Sequence, residues 1–362
     1  MKSALASAAK SAAAFLVLFC LCAPAHAQPK YVGWSMAYYP GWDQEDLTPD
    51  KINWKAITHL AHFALIPGPN GTLNPDANDL QEPFIKDAVA EAHKHNVKIL
   101  ISIGGENAGT ALEDACSPAN IHTFVKNLLA FMRKYGYDGI DTDWEDGFND
   151  AEFLAWHKEL RDSINKISPR PLLTIAGGGY FAEHCARAWP YVDQMNDMCY
   201  DLKYNHLTAR LKQFTDQGVP KSILGVGIGI GNDPTEGNGE MVDGTAADWD
   251  GKVNWAISNG MGGIMQWEVM DNALVAACYT HLQQYINPNG TPVRPAAGAR
   301  PSRRAPSIRI ALNEKTGVRE ISYTAASSSI GIGPWEEWNR FDVKGGFLGR
   351  RTRANLIPSA KQ

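Results

Sequence analysis

The stretch Asp138-Gly139-Ile140-Asp141-Thr142-Asp143-Trp144-Glu145 carries carboxylates at alternate positions, with Ile140, Thr142 and Trp144 between the last three. Successive side chains of a β-strand point to opposite faces, so Asp141, Asp143 and Glu145 share one face. Carboxylates crowded together away from water cannot all ionise. They share protons or accept hydrogen bonds, and each raises its neighbours' pKa. A carboxyl that keeps its proton near neutral pH is what a general acid requires. The competing reading is a solvated acidic edge strand, which the apolar alternate positions disfavour. Aromatic residues accompany the acids: Tyr38, Tyr39 and Trp42 in one segment and Trp267 in another. His59 and His62, three apart on an expected strand, face opposite sides and make a poor metal pair.

Something must hold these groups together. Apolar, β-branched runs recur at Tyr31–Tyr39, Thr58–Ile66, Lys98–Ile103, Gly139–Glu145, Leu172–Ala176, Met195–Leu202, Ser222–Ile230 and Gly263–Val269. Helical patterns lie between them, at Phe84–His95, Ile121–Tyr135, Ala151–Ile167, Ala246–Asn259 and Asn272–Ile286. In the third of these Phe153, Trp156, Leu160 and Ile164 recur at three- and four-residue steps, as in an amphipathic helix. Strands alternating with helices pair in parallel, and eight such units over residues 28–286 predict an α/β fold, a (β/α)8 TIM barrel. A doubly wound open sheet would carry a glycine-rich turn after the first strand, and none is there. In a barrel the chemistry belongs at the C-terminal ends of the strands, and Glu145 stands at such an end. Gly225, Gly227, Gly229 and Gly231 empty one face of the seventh strand, either for tight packing or as room for a substrate.

The chain has 362 residues, 44% apolar and 20% charged, which excludes a disordered or collagen-like chain. A net charge of −5 argues against a general nucleic-acid binder. That charge is divided into +2 over residues 1–27, −15 over 28–288 and +8 over 289–362. The first segment has Lys2 and Lys10, an apolar run from Ala12 to Ala23 and the small-residue site Ala25-His26-Ala27, the pattern of a secretory signal cleaved before Gln28. The apolar run is too short to span a membrane, so a secreted protein, monomeric and free of membrane after cleavage, is expected. Outside the cytosol Cys116, Cys185, Cys199 and Cys278 could form disulfides, in any of three pairings. Residues 287–306, rich in Pro, Arg, Ala and Gly, read as a linker. The basic tail 307–362 has strand-like pieces at Ser307–Leu312 and Glu320–Thr324 and the segment Ile332-Gly333-Pro334-Trp335-Glu336-Glu337-Trp338. It is either a remnant with no fold of its own or a partial sugar-binding repeat resembling fascin-like β-trefoil modules.

With these residues in view, the chain resembles the family 18 glycoside hydrolases, the chitinase family. The signature D-G-x-D-x-D-x-E is complete from Asp138 to Glu145. Four further pieces follow in order around it: Tyr38-Tyr39-Pro40-Gly41-Trp42, Ser102-Ile103-Gly104-Gly105, Met198-Cys199-Tyr200-Asp201 and Met265-Gln266-Trp267-Glu268. The resemblance covers about residues 30–286. It implies a TIM barrel and a substrate-assisted, retaining mechanism. By that resemblance Glu145 is the general acid, and Asp143 holds the N–H of the substrate's 2-acetamido group, whose carbonyl oxygen attacks the anomeric carbon. Tyr200 bonds that carbonyl, and Asp141 shares a proton with Asp143. Trp267, Tyr38, Trp42, Met198, Asp201 and Asp138 are assigned to substrate binding. No metal or cofactor is required.

The implied partner is chitin or chitooligosaccharides. After Glu145 many chitinases continue with an aromatic and a proline, whereas this chain has Asp146-Gly147. The seventh and eighth strands are too close in sequence for a large insertion domain, so an open cleft and endo-cleavage are expected. The alternatives are an endo-β-N-acetylglucosaminidase acting on glycoprotein glycans and a chitin-binding lectin that has lost catalysis. The presence of Glu145 disfavours the lectin.

Overall fold

In the computed structural model the residues described are 30–289, apart from 148, 179–180, 201 and 231–242, together with four strands between 307 and 354. The expected signal segment, most of the linker, Asp201 and Gly231 lie outside them.

The first region is a closed barrel. Its strands are β1 (Trp34–Pro40), β2 (His59–Gly68), β4 (Lys98–Gly105), β5 (Gly139–Trp144), β6 (Leu172–Gly177), β7 (Gln194–Asp197), β8 (Leu224–Gly229) and β9 (Gly263–Trp267). They pair in parallel in chain order, and β1 closes on both β2 and β9. The short β3 (Thr72–Asn74) forms an antiparallel hairpin with the end of β2.

Around the barrel stand α1 (Glu82–Lys94), α2 (Gly109–Cys116), α3 (Ile121–Tyr135), α4 (Asp150–Ile164), α5 (Ala182–Ala186), α6 (Leu207–Asp216), α7 (Ala246–Ser258) and α8 (Ala273–Leu282). The first strand departs from the expected strand–helix unit. Residues between β1 and β2 form three 3₁₀ turns, the last two begun by Pro49 and Trp54, and no α-helix. Between β8 and β9 the described chain holds only α7, which leaves little sequence for an inserted domain.

The helices lie where the apolar periodicity puts them. In α3, Ile121, Phe124, Val125, Leu128, Leu129 and Met132 are buried, and Gly136 in the left-handed region ends the helix. In α4, Phe153, Trp156, Leu160 and Ile164 are buried, and the Asn149 side chain caps the backbone N–H groups of Ala151 and Glu152. This layer packs on the outward faces of the strands as one large core. A second, smaller core fills the barrel itself, with Trp34, Met36, Tyr38, Ala61, Phe63, Leu100, Ala176 and Met265.

Gly104 and Gly105 lie where β4 passes the acidic strand. Both have positive φ, +114° and +100°. A Cβ on Gly104 would come 1.9 Å from the Asp143 carbonyl oxygen, and one on Gly105 would come 2.6 Å from the Phe63 ring. The pair of glycines is therefore a condition for β4 and β5 to meet at the rim.

All four cysteines of this region, Cys116, Cys185, Cys199 and Cys278, are free and buried. They lie on separate elements of the outer core, so the anticipated disulfides are absent among the described residues. The tail holds four described strands. β10 (Ser307–Asn313), β11 (Val318–Thr324), β12 (Trp335–Phe341) and β13 (Phe347–Ala354) form an antiparallel sheet in chain order. The segment Ile332–Trp338 singled out in the sequence holds the start of β12, whereas β13 was not read because its arginines obscure the alternation.

Two outcomes check this architecture. Gly104→Ala should lower the melting temperature by roughly 6–12 °C in calorimetry, from about 3 kcal/mol of backbone strain and collision. A thiol reagent should find four reactive thiols in residues 28–362 after denaturation in guanidinium without reductant, and almost none in the native protein.

Candidate active site

β5 brings the acids to the barrel mouth. Asp141 and Asp143 point inward and are buried, and Glu145, one residue past the strand, is half-buried at the rim. Outward, Thr142 bonds His157 of α4 at 2.8 Å, which pins the strand's other face. Asp141 is the most fully bonded of the three. Tyr38 and Ser102 donate to its Oδ2 at 2.8 and 2.9 Å, and Thr174 donates to its Oδ1 at 2.5 Å. Burial raises its pKa, and the three hydroxyls oppose that rise.

Asp143 stands between two acids and has no such support. Burial raises its pKa well above the carboxylate range, and the charges of Glu145 and Asp141 add to the rise. Asp143 and Glu145 hydrogen-bond each other, which two carboxylates can do only by sharing a proton. The Oδ1 of Asp143 is buried and has no partner among the described residues. Glu145 is pushed up to about 7, first by burial and then by the charges of Glu106 and Asp146. Asp146 turns its Oδ1 to accept from the Gly109 N–H at 2.6 Å, at the start of α2.

Tyr200 faces this column from the β7 side. Its hydroxyl donates to the Met265 sulfur at 3.1 Å, and burial with the charges of Asp143 and Glu145 raises its pKa well above the ordinary value. β7 stops at Asp197 instead of running to Leu202, so Tyr200 sits on a segment that has left the sheet. Met198 is half-buried and packs against the inner core.

The aromatics form one group. Phe63 is its hub, edge-on to Trp267 at 5.0 Å, to Tyr38 at 5.9 Å and to Trp42 at 5.8 Å. Tyr38 also contacts Trp267 at 5.7 Å. Trp42 is 43% exposed, one of two large apolar side chains so uncovered among the described residues, with Tyr204.

Asp138 is a correction. It precedes β5, at the opposite end of the strand from Glu145, and cannot reach a ligand at the mouth. It accepts from Lys98 Nζ at 2.7 Å, from the Ile99 N–H at 3.0 Å and from His93 at 2.9 Å. These bonds overcome the cost of burial and hold its pKa below the ordinary value. Its work is to tie β4, β5 and α1 together at the barrel base.

The glycine face of β8 is filled, not open. Cβ atoms on Gly225 and Gly227 would strike Asn196 at 2.3 Å and the Asp197 carbonyl at 2.4 Å, so tight packing is the correct one of the two readings there.

Phe63, Ser102, Thr174 and Glu268 were missed as site residues. Phe63, Ser102 and Thr174 share the inward parity of their strands, which is the signal that could have found them. Glu268, pushed up to about 8 by burial and the charge of Asp43, directly follows Trp267.

Glu145 loses its proton as pH rises through about 7, so acid-catalysed turnover should fall on that limb. Glu106→Gln and Asp146→Asn should each move the alkaline limb of kcat/KM down by roughly half a pH unit, since each removes a neighbouring negative charge. Asn still accepts the Gly109 bond. The stability sign is the same: Glu145's contribution is full below its ordinary value of 4.5 and lost through about 7. Glu145→Gln should therefore gain stability relative to wild type above pH 7, read by denaturant titration at several pH values.

Known proteins place this geometry. The family model for glycosyl hydrolases family 18 matches residues 35–247. A chitinase-like effector of Moniliophthora perniciosa is 37% identical over 113 residues, 30% of this chain and 25% of that protein. A class V chitinase of Medicago truncatula is 28% identical over 191 residues, 46% of this chain and 48% of that protein. The matched stretches thus span half or less of these curated relatives.

Among solved structures, a class V chitinase mutant of Cycas revoluta in complex with (GlcNAc)3 superposes with a TM-score of 0.58 at 19% identity, covering 70% of this chain and 99% of that one. A chitinase of Bacteroides thetaiotaomicron gives 0.57 at 21% identity, covering 69% and 96%. At those identities the superpositions speak for the barrel alone. Together with the family match over more than half of its length, the acidic strand places the chain in family 18 of the glycosyl hydrolases.

Proposed function

We propose that this protein is a chitinase that cleaves β-1,4 bonds between N-acetylglucosamine units, internally and with retention of configuration. The observation that carries the reading is the Asp141–Asp143–Glu145 column. It holds one acid that accepts three hydroxyl bonds and two that share a proton, the outer of which is pushed up to about 7 at the rim.

In this reaction Glu145 gives its proton to the glycosidic oxygen as the bond to the anomeric carbon breaks. The free Oδ1 of Asp143 accepts the acetamido N–H, which orients the amide so that its carbonyl oxygen attacks the anomeric carbon. The proton shared by Asp143 and Glu145 thus leaves with the glycosidic oxygen, and Asp143, now a carboxylate beside the positive charge developing on the ring, becomes the counter-charge. Tyr200 donates to the acetamido oxygen. Glu145, now a carboxylate, takes a proton from water, which opens the ring from the same face and restores the starting configuration. Trp267, Phe63 and Tyr38 supply the apolar floor for the sugar, and Trp42 a platform further out. No step calls for a metal or cofactor.

Chitin and chitooligosaccharides are the proposed substrates, and the short β8–β9 connection supports an open cleft and endo-action. Export with cleavage before Gln28, action as a monomer, and the absence of nucleic-acid or membrane partners belong to the same proposal. No helix among the described residues is long and apolar enough to cross a membrane.

The test is hydrolysis of chitotetraose and a chromogenic chitotriose glycoside by wild type and Glu145→Gln, with the anomer followed by NMR. Wild type should release the β-anomer first, and Glu145→Gln should fall by about 10³-fold or more in kcat. Binding without turnover by wild type would replace the enzyme with a lectin. Neither binding nor turnover would direct the search to glycoprotein glycans.

A further inference from the structure

Tyr200 has to reach the carboxylate column from a strand that ends three residues earlier. Beyond Asp197 the backbone has left the parallel ladder, so its carbonyl groups must find partners elsewhere. Besides the Leu202 N–H, which donates to the Cys199 carbonyl at 3.3 Å, two cations of the helical layer supply them. Arg210 of α6 donates from Nε to Asp197 Oδ1 at 3.1 Å and from Nη2 to the Met198 carbonyl at 3.3 Å. Lys252 of α7 is wholly buried and donates to the Cys199 carbonyl at 2.8 Å, the Gly227 carbonyl at 2.9 Å and Asp243 Oδ2 at 2.6 Å.

An ammonium group has three N–H donors, and Lys252 spends all of them. Charge neutralisation alone would need only Asp243. The other two bonds go to main-chain carbonyls that flank Tyr200. Cys199 O belongs to the peptide that leads into Tyr200. Gly227 lies on the strand against which the Tyr200 ring rests, so closely that a Cβ there would come 3.0 Å from its Cε1. One buried charge therefore joins the peptide carrying the tyrosine to the surface that stops its ring. Asp243 in turn accepts the Gly229 N–H at 3.0 Å, which fixes the anchor to the same strand.

We propose that Lys252, seconded by Arg210, is a positioning residue for catalysis: it sets where the Tyr200 hydroxyl stands relative to Asp143 and Glu145. This rests on the reading of Tyr200 as the group that binds the substrate's acetamido oxygen. A hydroxyl displaced by about 1 Å costs on the order of 10²-fold in rate, while the binding of distant sugar units is little affected. The effect thus belongs in kcat more than in KM.

A double-mutant cycle on chitotetraose tests it, with Lys252→Met, Tyr200→Phe and both together, each assayed well below its own melting temperature. Lys252→Met should lower kcat by roughly 10²-fold with KM within about threefold. In the Tyr200→Phe background the same change should cost less than about threefold, because the group it positions is already gone. Full additivity of the two losses, or a loss that follows only the folded fraction, overturns the proposal.

Should Lys252→Met fail to fold because Asp243 is left unpaired, Lys252→Gln with Asp243→Asn removes both charges together and enters the same cycle. A crystal structure of the folded variant gives an arm independent of turnover. The Tyr200 hydroxyl should leave Met265 by about 1 Å or more, and an unmoved hydroxyl overturns the positioning role. An inert wild type with a displaced tyrosine in the variant would instead defeat the functional reading and leave the clamp standing.

Discussion

Three carboxyl groups in the mouth of a barrel cannot all be charged, and this constraint organises the rest of the molecule. Each ion removed from water costs several kcal/mol unless neighbours replace the lost hydration. The barrel does so unevenly. Asp141 receives hydroxyls from three different strands, while Asp143 and Glu145 are left to share a proton. The unequal bonding along one strand becomes unequal acidity: three hydroxyls oppose the rise at Asp141, while Asp143, without them, is raised well above the carboxylate range and Glu145 at the rim to about 7. Glu106 and Asp146 extend it outward, since their charges add to the rise that burial gives the rim acid.

Such a column exists only if neighbouring strands approach it closely and stay in register. Gly104 allows the β4 backbone to meet the Asp143 carbonyl, and Gly227 allows the Tyr200 ring to lie on β8. Lys252 and Arg210 act on the same boundary from outside, donating to the Met198 and Cys199 carbonyls beyond the end of β7 and to the Gly227 carbonyl of β8. The two ends of the barrel divide the work. Asp138 spends its charge on Lys98, His93 and a backbone N–H and secures the base, whereas Glu145, just past the far end of the same strand, shares a proton with Asp143 and has no cation to hold it among the described residues. Similar carboxylates within one motif thus serve opposite purposes because one is saturated by cations and the other is surrounded by anions.

Much of this was legible from residue types and spacing. Alternation placed Asp141, Asp143 and Glu145 on one face, because strand side chains repeat every two residues whatever surrounds them. The apolar steps of Phe153, Trp156, Leu160 and Ile164 identified α4, and the order of strands and helices identified the barrel. Those are local signals, set by backbone geometry and the need to bury one face of each element. What they could not supply was the role of residues whose partners are distant in the chain. Asp138 looked like part of the acidic site until Lys98 and His93 were seen to claim it. The four cysteines allowed several pairings, and the fold sets them on different elements. Ser102, Thr174 and Phe63 are unremarkable in sequence and become site residues only because strand register brings them beside Asp141 and Trp267. Tyr200 was found by its motif, but not the end of its strand or the buried lysine that takes the preceding carbonyl. The sequence by itself determined which side chains share a strand face, since that depends on neighbours along the chain. Only the tertiary structure decided which carboxyl keeps its proton, since that depends on charges and hydroxyls that converge from strands and helices across the barrel.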